Sequence, residues 1–345
     1  MKSIQSLKSG DTMKNIQNVF MGRVFVSSAV IFLFAASYIY SIQENYKKAV
    51  SQDILYNDNS SPNKAKKSPG MLSISEPTNQ QEQSISAGPQ SFTSDDYGNV
   101  YVCDTLNHSI QIYSPKGIFK KTIQLDQNVL ACDIAVDKNG DIYILDDVEG
   151  MLYCYTKATS PSSNLKVDLN RISGGMGPLH IAGGKIYVPD AAQQDVVIGK
   201  IENGTLAAPT KEELSAPLEK GINASSGRKY YVDLQGFEKG SVVILGRDGK
   251  LIKSVEIPST NILSISFLKE DKRGNFYIQV ERKRDEKILL EAYKFDAAGN
   301  YISKINFTDT DYHFWTVKLL FVDDNENIYQ FVPSQKKGIL NIFKK

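Results

Sequence analysis

GNVYVCD at residues 98–104, GDIYILD at 140–146 and GKIYVPD at 184–190 are three readings of one pattern. A turn residue is followed three positions later by a tyrosine inside an apolar strand. The pattern continues as GRKYYVD at 227–233, GNFYIQV at 274–280 and ENIYQFV at 326–332. Its tyrosines, Tyr101, Tyr143, Tyr187, Tyr230, Tyr277 and Tyr329, fall 42, 44, 43, 47 and 52 residues apart. A period of roughly 40 to 50 residues is that of a four-stranded propeller blade. Six copies predict an all-β, six-bladed β-propeller of four-stranded antiparallel blades over residues 89–345. The blades are arranged radially because no single blade can bury both of its faces alone.

The strand order inside a unit is readable. In the first, SFTSDD supplies an inner strand, NVYVCD the second, SIQIYS the third and FKKTIQL the outer one. Asp and Gly mark the turns, where tight or left-handed backbone is needed. Strands such as DIYIL are apolar on both faces, as a blade between two neighbours requires. Helical periodicity is nearly absent after residue 44. The exception is TKEELSAPLEK at 210–220, an insertion between the third and fourth blades that Pro217 interrupts. The last unit ends at its third strand, GILNIF at 338–343, leaving an edge that proteins usually cover. A segment before the first blade, either 71–75 or 84–86, is expected to supply the missing strand and join the ends of the ring.

The first unit, from Asp95 to Tyr113, reads D-x-x-G-N-x-Y-V-x-D-x-x-N-H-x-I-x-x-Y and resembles an NHL repeat. The second, IAVDKNGDIYILDD, resembles it without the Asn107-His108 pair; the other four keep only the turn-and-tyrosine frame. The resemblance implies a six-bladed propeller. For function it implies a range, from protein- or RNA-binding platforms to lactonases and a peptide-amidating lyase, and fold alone selects none of them.

Upstream, residues 24–43 form a run of twenty without a charge. At about 1.5 Å per residue a helix of that length spans the roughly 30 Å core of a bilayer. Tyr38 and Tyr40 suit one interface, and Arg23 can snorkel at the other. Lys2, Lys8, Lys14 and Arg23 precede the span against a single acid, Asp11. The positive-inside rule then makes residues 1–23 cytoplasmic and everything beyond the span extracytoplasmic. A cleaved signal peptide is the competing reading, countered by the apolar run continuing past Ala35-Ala36-Ser37. Residues 44–88 are polar and turn-rich, and are expected to be a flexible linker to the propeller.

Charge excludes one class of partner. With 40 Lys+Arg against 39 Asp+Glu the chain is nearly neutral, so no nucleic-acid partner is expected. The mixed run ERKRDEK at 281–287 reads as a solvated loop. Three cysteines, Cys103, Cys132 and Cys154, fall in strands without any C-x-x-C spacing and read as small buried groups. No P-loop, G-x-G-x-x-G or G-x-S-x-G is present.

Two residue sets remain as ligand-binding candidates. Asp104, Asp146, Asp190 and Asp233 each lie six residues after their unit's turn glycine, at the end of the second strand. Symmetry would gather them on one face, either as a polar rim or as acceptors for backbone N–H groups of their own loops. Val280 and Val332 take that place in the last two units. Asp133 and His180 precede Ile-Ala pairs at the start of inner strands, where they would line the central channel. A zinc site like that of the amidating lyase the resemblance implies would need three converging imidazoles, and only His180 and His313 qualify beside the loop residue His108. A calcium site needs several converging oxygens, of which only Asp133 is evident. No catalytic residue, metal or cofactor is therefore assigned. The expected function is a membrane-anchored module that binds a protein, peptide or glycan. A metal-dependent hydrolase or lyase at the channel, using Ca or Zn, is the alternative.

Overall fold

The computed structural model describes residues 46–58, 71–74, 88–156, 161–285, 287–308, 312, 315–334 and 337–345. Before the first blade come β1 (Lys47–Asp58) and β2 (Leu72–Ile74). Blade one is β3 (Phe92–Ser94), β4 (Val100–Asp104), β5 (Ser109–Tyr113) and β6 (Phe119–Gln124). Blade two is β7 (Asp133–Val136), β8 (Ile142–Asp146), β9 (Met151–Tyr155) and β10 (Ser163–Lys166). Blade three comprises β11 (His180–Ala182), β12 (Lys185–Pro189), β13 (Asp195–Glu202) and β14 (Thr205–Ala207). Blade four has β15 (Ile222–Asn223), β16 (Lys229–Gln235), β17 (Lys239–Leu245) and β18 (Leu251–Glu256). The fifth blade contains β19 (Ile262–Glu270), β20 (Phe276–Arg284), β21 (Lys287–Phe295) and β22 (Tyr301–Phe307). The last contributes β23 (Leu320–Val322), β24 (Ile328–Pro333) and β25 (Lys337–Lys344). Neighbouring strands within each blade are antiparallel, which makes the chain an all-β, six-bladed propeller.

Ring closure differs from expectation in one respect. The fourth strand of blade six is β1, which runs antiparallel to β25 from Lys47 opposite Lys344 to Leu55 opposite Lys337. The candidate at 71–75 contributes β2, which adds in parallel outside β1 as a fifth strand. The segment 84–86 lies outside the described residues, as do residues 1–45 and with them the proposed membrane span. Among the described residues no helix is long and apolar enough to cross a membrane. Residues 44–88 are thus not linker throughout, since the propeller begins with β1. Ile54 of β1 and Leu72 of β2 are buried with Phe92, Val100, Phe331 and Leu340, so the closing strands share the core of blades six and one. The outward neighbour Leu55 is 61% exposed, as the period-two alternation of a half-buried strand dictates.

The repeat motif has a structural cause. Asp95 Oδ1 accepts from the backbone N–H groups of Tyr97 and Asn99, at 3.0 and 2.8 Å, closing the hairpin between β3 and β4. Asp271 and Asp323 do the same in blades five and six. Gly98 and Gly274 take left-handed φ of 77° and 79° within these turns. Glu326 holds the same position at φ 67° without being glycine. Its buried carboxylate accepts from the buried Lys294 at 2.7 Å. All six repeat tyrosines are at most 9% exposed.

Five of the six seams between neighbouring blades are apolar clusters. The seam between blades three and four is polar instead. Gln193 Nε2 donates to the Val232 carbonyl at 2.8 Å, and Gln193 Oε1 accepts from the Val232 N–H at 2.7 Å. The helix expected near this seam is α1 (Lys211–Ser215), which ends before Pro217. Thr210 Oγ1 accepts from Glu213 N–H, and Glu213 Oε2 accepts from Thr210 N–H, which together form a capping box.

Candidate functional site in the central channel

The inner strands surround a cavity of about 650 Å³. Every blade reaches it, through Thr93, Val136, His180, Ile222, Ile265 and Leu320 in order. Asp133 pairs in register with Leu145, and Ile262 with Arg282. The starts of the inner strands and the ends of the second strands therefore share one end of the channel. Topology brings His180, Asp190, Glu281, Trp315 and Lys318 to that end.

Asp133 is 2% exposed and joins four blades. Its Oδ1 accepts from Ser91 Oγ of blade one at 2.6 Å and from Lys318 Nζ ahead of blade six at 2.7 Å. Its Oδ2 accepts from the Leu179 N–H leading into blade three at 2.5 Å. Lys318 Nζ also donates to the Ile134 carbonyl. A carboxylate so enclosed needs this compensation, because an unpaired buried charge is strongly unfavourable.

His180 starts β11, and its side chain is 24% exposed. Nε2 donates to Asp195 Oδ2 at 3.1 Å, and Nδ1 lies 3.3 Å from the Pro178 carbonyl. Both neighbours only accept, so the arrangement suits the imidazolium. Burial opposes that charge, but Asp195 and the Pro178 carbonyl outweigh it and hold the pKa above the ordinary 6.5. The ring stacks on Tyr187, with centroids 5.4 Å apart. Burial, then the charges of Asp195 and Glu213, push the Tyr187 hydroxyl up to about 12. Asp195 Oδ2 also accepts from the N–H and Nδ2 of Asn223, tying blade three to blade four.

The four second-strand aspartates do not form a rim. Asp104 ends β4, fully buried, and accepts from Asn107 Nδ2 at 2.6 Å. Asp146 accepts from the backbone N–H groups of Leu130 and Glu149. Asp190 follows β12 and accepts from Gln194 N–H at 2.9 Å. Asp233 sits within the longer β16 rather than at its end. Of the four, only Asp190 lines the channel.

Several site residues carry no motif and are missed by sequence reasoning. Lys318 finds its partner Asp133 in another blade, and Asp195 bonds both His180 of its own blade and Asn223 of the next. Glu281 was expected in a solvated loop, yet β20 runs through Arg284 and places Glu281 on the channel. Gln279, two residues earlier, lines it as well at 7% exposed. Trp315 is the chain's one tryptophan, which was a usable signal, and it lines the channel while 67% exposed.

The described residues do not fit a resident metal. The charge of Asp133 is already matched by an ammonium group, and His180 has its nitrogens directed at acceptors. Among the described residues no group of three or more His, Cys, Asp or Glu side chains converges. His313 lies outside the described residues, and His108 Nδ1 is 3.0 Å from the Val129 carbonyl in its own loop. The cysteines are buried free thiols, and burial pushes those of Cys103 and Cys132 up, well away from nucleophilic range.

No protein-family model and no curated protein matches the chain. Solved structures do resemble it in fold. A member of the duf4221 family from Bacteroides vulgatus aligns with 87% of this chain and 98% of its own, at 12% identity and a TM-score of 0.47. Virginiamycin B lyase from Staphylococcus aureus aligns over 73% and 94%, at 12% identity and 0.41. A luciferin-regenerating enzyme aligns over 74% and 91%, at 10% identity and 0.40. Likenesses this distant carry no chemistry to this chain.

Proposed function

We propose that this chain is a membrane-anchored binding module, an NHL-like propeller that holds an organic ligand in its central channel. The observation that carries the reading is a 650 Å³ cavity reached by all six blades, in which polar groups remain unused beside apolar walls. The only hydrogen bond of the Gln279 carboxamide among the described residues is a 3.5 Å contact to Glu281. Leu319, Phe267 and Trp315 supply the apolar surface. Convergent polar groups in a mostly apolar, pre-formed concavity are what ligand sites share. A peptide, a protein segment or a glycan end is of a size to enter. The uncharged run 24–43 supports the anchor, and the basic residues before it support an extracytoplasmic propeller.

Native mass spectrometry of the full-length chain, purified gently in detergent, tests the reading. A ligand mass retained by the wild type and lost when Ser266→Trp fills the cavity supports it. Equal retention by both proteins would place binding elsewhere. Carbonate extraction and protease accessibility of intact cells test the anchor. Release by carbonate, or protection of the propeller from external protease, counts against it.

A further inference from the structure

Pairing the charges of the described lining residues leaves a remainder of one sign. Lys318 is matched by Asp133 at 2.7 Å and His180 by Asp195 at 3.1 Å. Lys269 pairs with Asp324, and Glu270 with Arg228 and the Ser226 hydroxyl. Two carboxylates are left among the described lining residues. Glu281 has only the long contact from Gln279, and Asp190 has only the N–H of Gln194 on Oδ1. Neither has a cationic partner. Both belong to the same end of the channel as Trp315, and Glu281 lies on blade five beside the blade that carries Trp315.

Two unmatched carboxylates at a low-dielectric concavity make its field negative and draw cations. An indole face attracts the same charge through its quadrupole. Gln279, more than nine-tenths buried on the channel wall, offers a carboxamide oxygen that accepts from no described group. The unused carboxylate and carboxamide oxygens at this end therefore accept hydrogen bonds, and the indole presents a face that attracts a cation. From this we infer that the ligand of the channel is an organic cation. It carries a protonated amine for Glu281 and Gln279 and an apolar body for Trp315, while Asp190 contributes field. The inference rests on the binding reading above and adds the chemical class.

Three probes of one shape separate the possibilities: 2-phenylethylamine, 2-phenylethanol and 3-phenylpropionate, which are cationic, neutral and anionic at pH 7. Affinity for the full-length chain is measured by calorimetry, and emission of the lone Trp315 reports binding at the channel. The amine is expected to bind at least about tenfold more tightly than either analogue. Glu281→Gln should cut that preference to about twofold or less, and Asp190→Asn should weaken it to a smaller degree. Both substitutions keep the side chain's shape while removing its charge, and far-UV circular dichroism checks the fold. If the neutral or anionic probe shifts Trp315 emission and binds as well as the amine, the class is wrong and the binding reading survives. The class is equally wrong if the preference survives both substitutions. If no probe binds up to its solubility limit, the class and the binding reading fall together.

Discussion

Tyr329 donates its hydroxyl to Asp323, six residues earlier, at 2.8 Å. Tyr101 and Asp95 repeat the bond at 2.9 Å, and Tyr277 and Asp271 at 3.3 Å. In these three blades one carboxylate thus braces both the hairpin and the buried tyrosine, while the Tyr143 and Tyr230 hydroxyls make no such bond. Asp323→Ala frees the N–H groups of Asn325 and Asn327 together with the tyrosine. It should cost about 2–4 kcal/mol by chemical denaturation, and Tyr329→Phe only about 1 kcal/mol. Equal costs would mean that the carboxylate does not organise the turn.

The buried pair Asp133–Lys318 predicts non-additivity. Lys318→Met leaves the Asp133 charge enclosed and should cost about 3–5 kcal/mol. Adding Asp133→Asn removes that charge and should restore at least about 1 kcal/mol. A double variant less stable than Lys318→Met alone would contradict this account of the hub.

Closure by β1 makes an otherwise peripheral segment part of the core. Ile54→Ala should destabilise the propeller by about 2–4 kcal/mol, because the side chain is 3% exposed beside Phe331 and Leu340. Leu55→Ala, on the solvent side of the same strand, should stay within about 0.5 kcal/mol. Similar effects at the two positions would argue that β1 is not packed as described.

His180 carries a pH dependence whose sign follows from its raised pKa. The folded chain binds this proton more tightly than the unfolded chain, whose histidine titrates near 6.5. The contribution to stability is complete below that value and is lost as pH rises through the higher folded pKa. The melting temperature of the wild type should therefore fall from pH 6 upward more steeply than that of His180→Phe, which keeps a ring over Tyr187. Parallel curves would show that the Asp195 bond does not favour the imidazolium.

Architecture was legible because it is periodic. Tyr101 through Tyr329 recur at blade length, and His180 lines the channel, whereas Asp133, expected there too, is buried against Lys318 and is not a lining residue. β1 was not legible. An outer strand buries one face only, and KKAVSQDILYND offers little beyond Val50 and Ile54 to distinguish it from linker. Its partner β25 also lies at the far end of the sequence. The same separation hides the site. Lys318 reaches Asp133 across 185 positions, and nothing local to either residue announces the other. The aspartate series misled for the opposite reason: equal spacing from a turn glycine does not survive unequal strand lengths, as Asp233 shows.

Crystals of the chain soaked with 2-phenylethylamine give the most direct test of the channel as an organic-cation site. The account predicts density within the cavity, its nitrogen at hydrogen-bond distance from the Glu281 carboxylate and its ring against Trp315. Density confined to the outer surface of the propeller, with the channel holding only water, would contradict it.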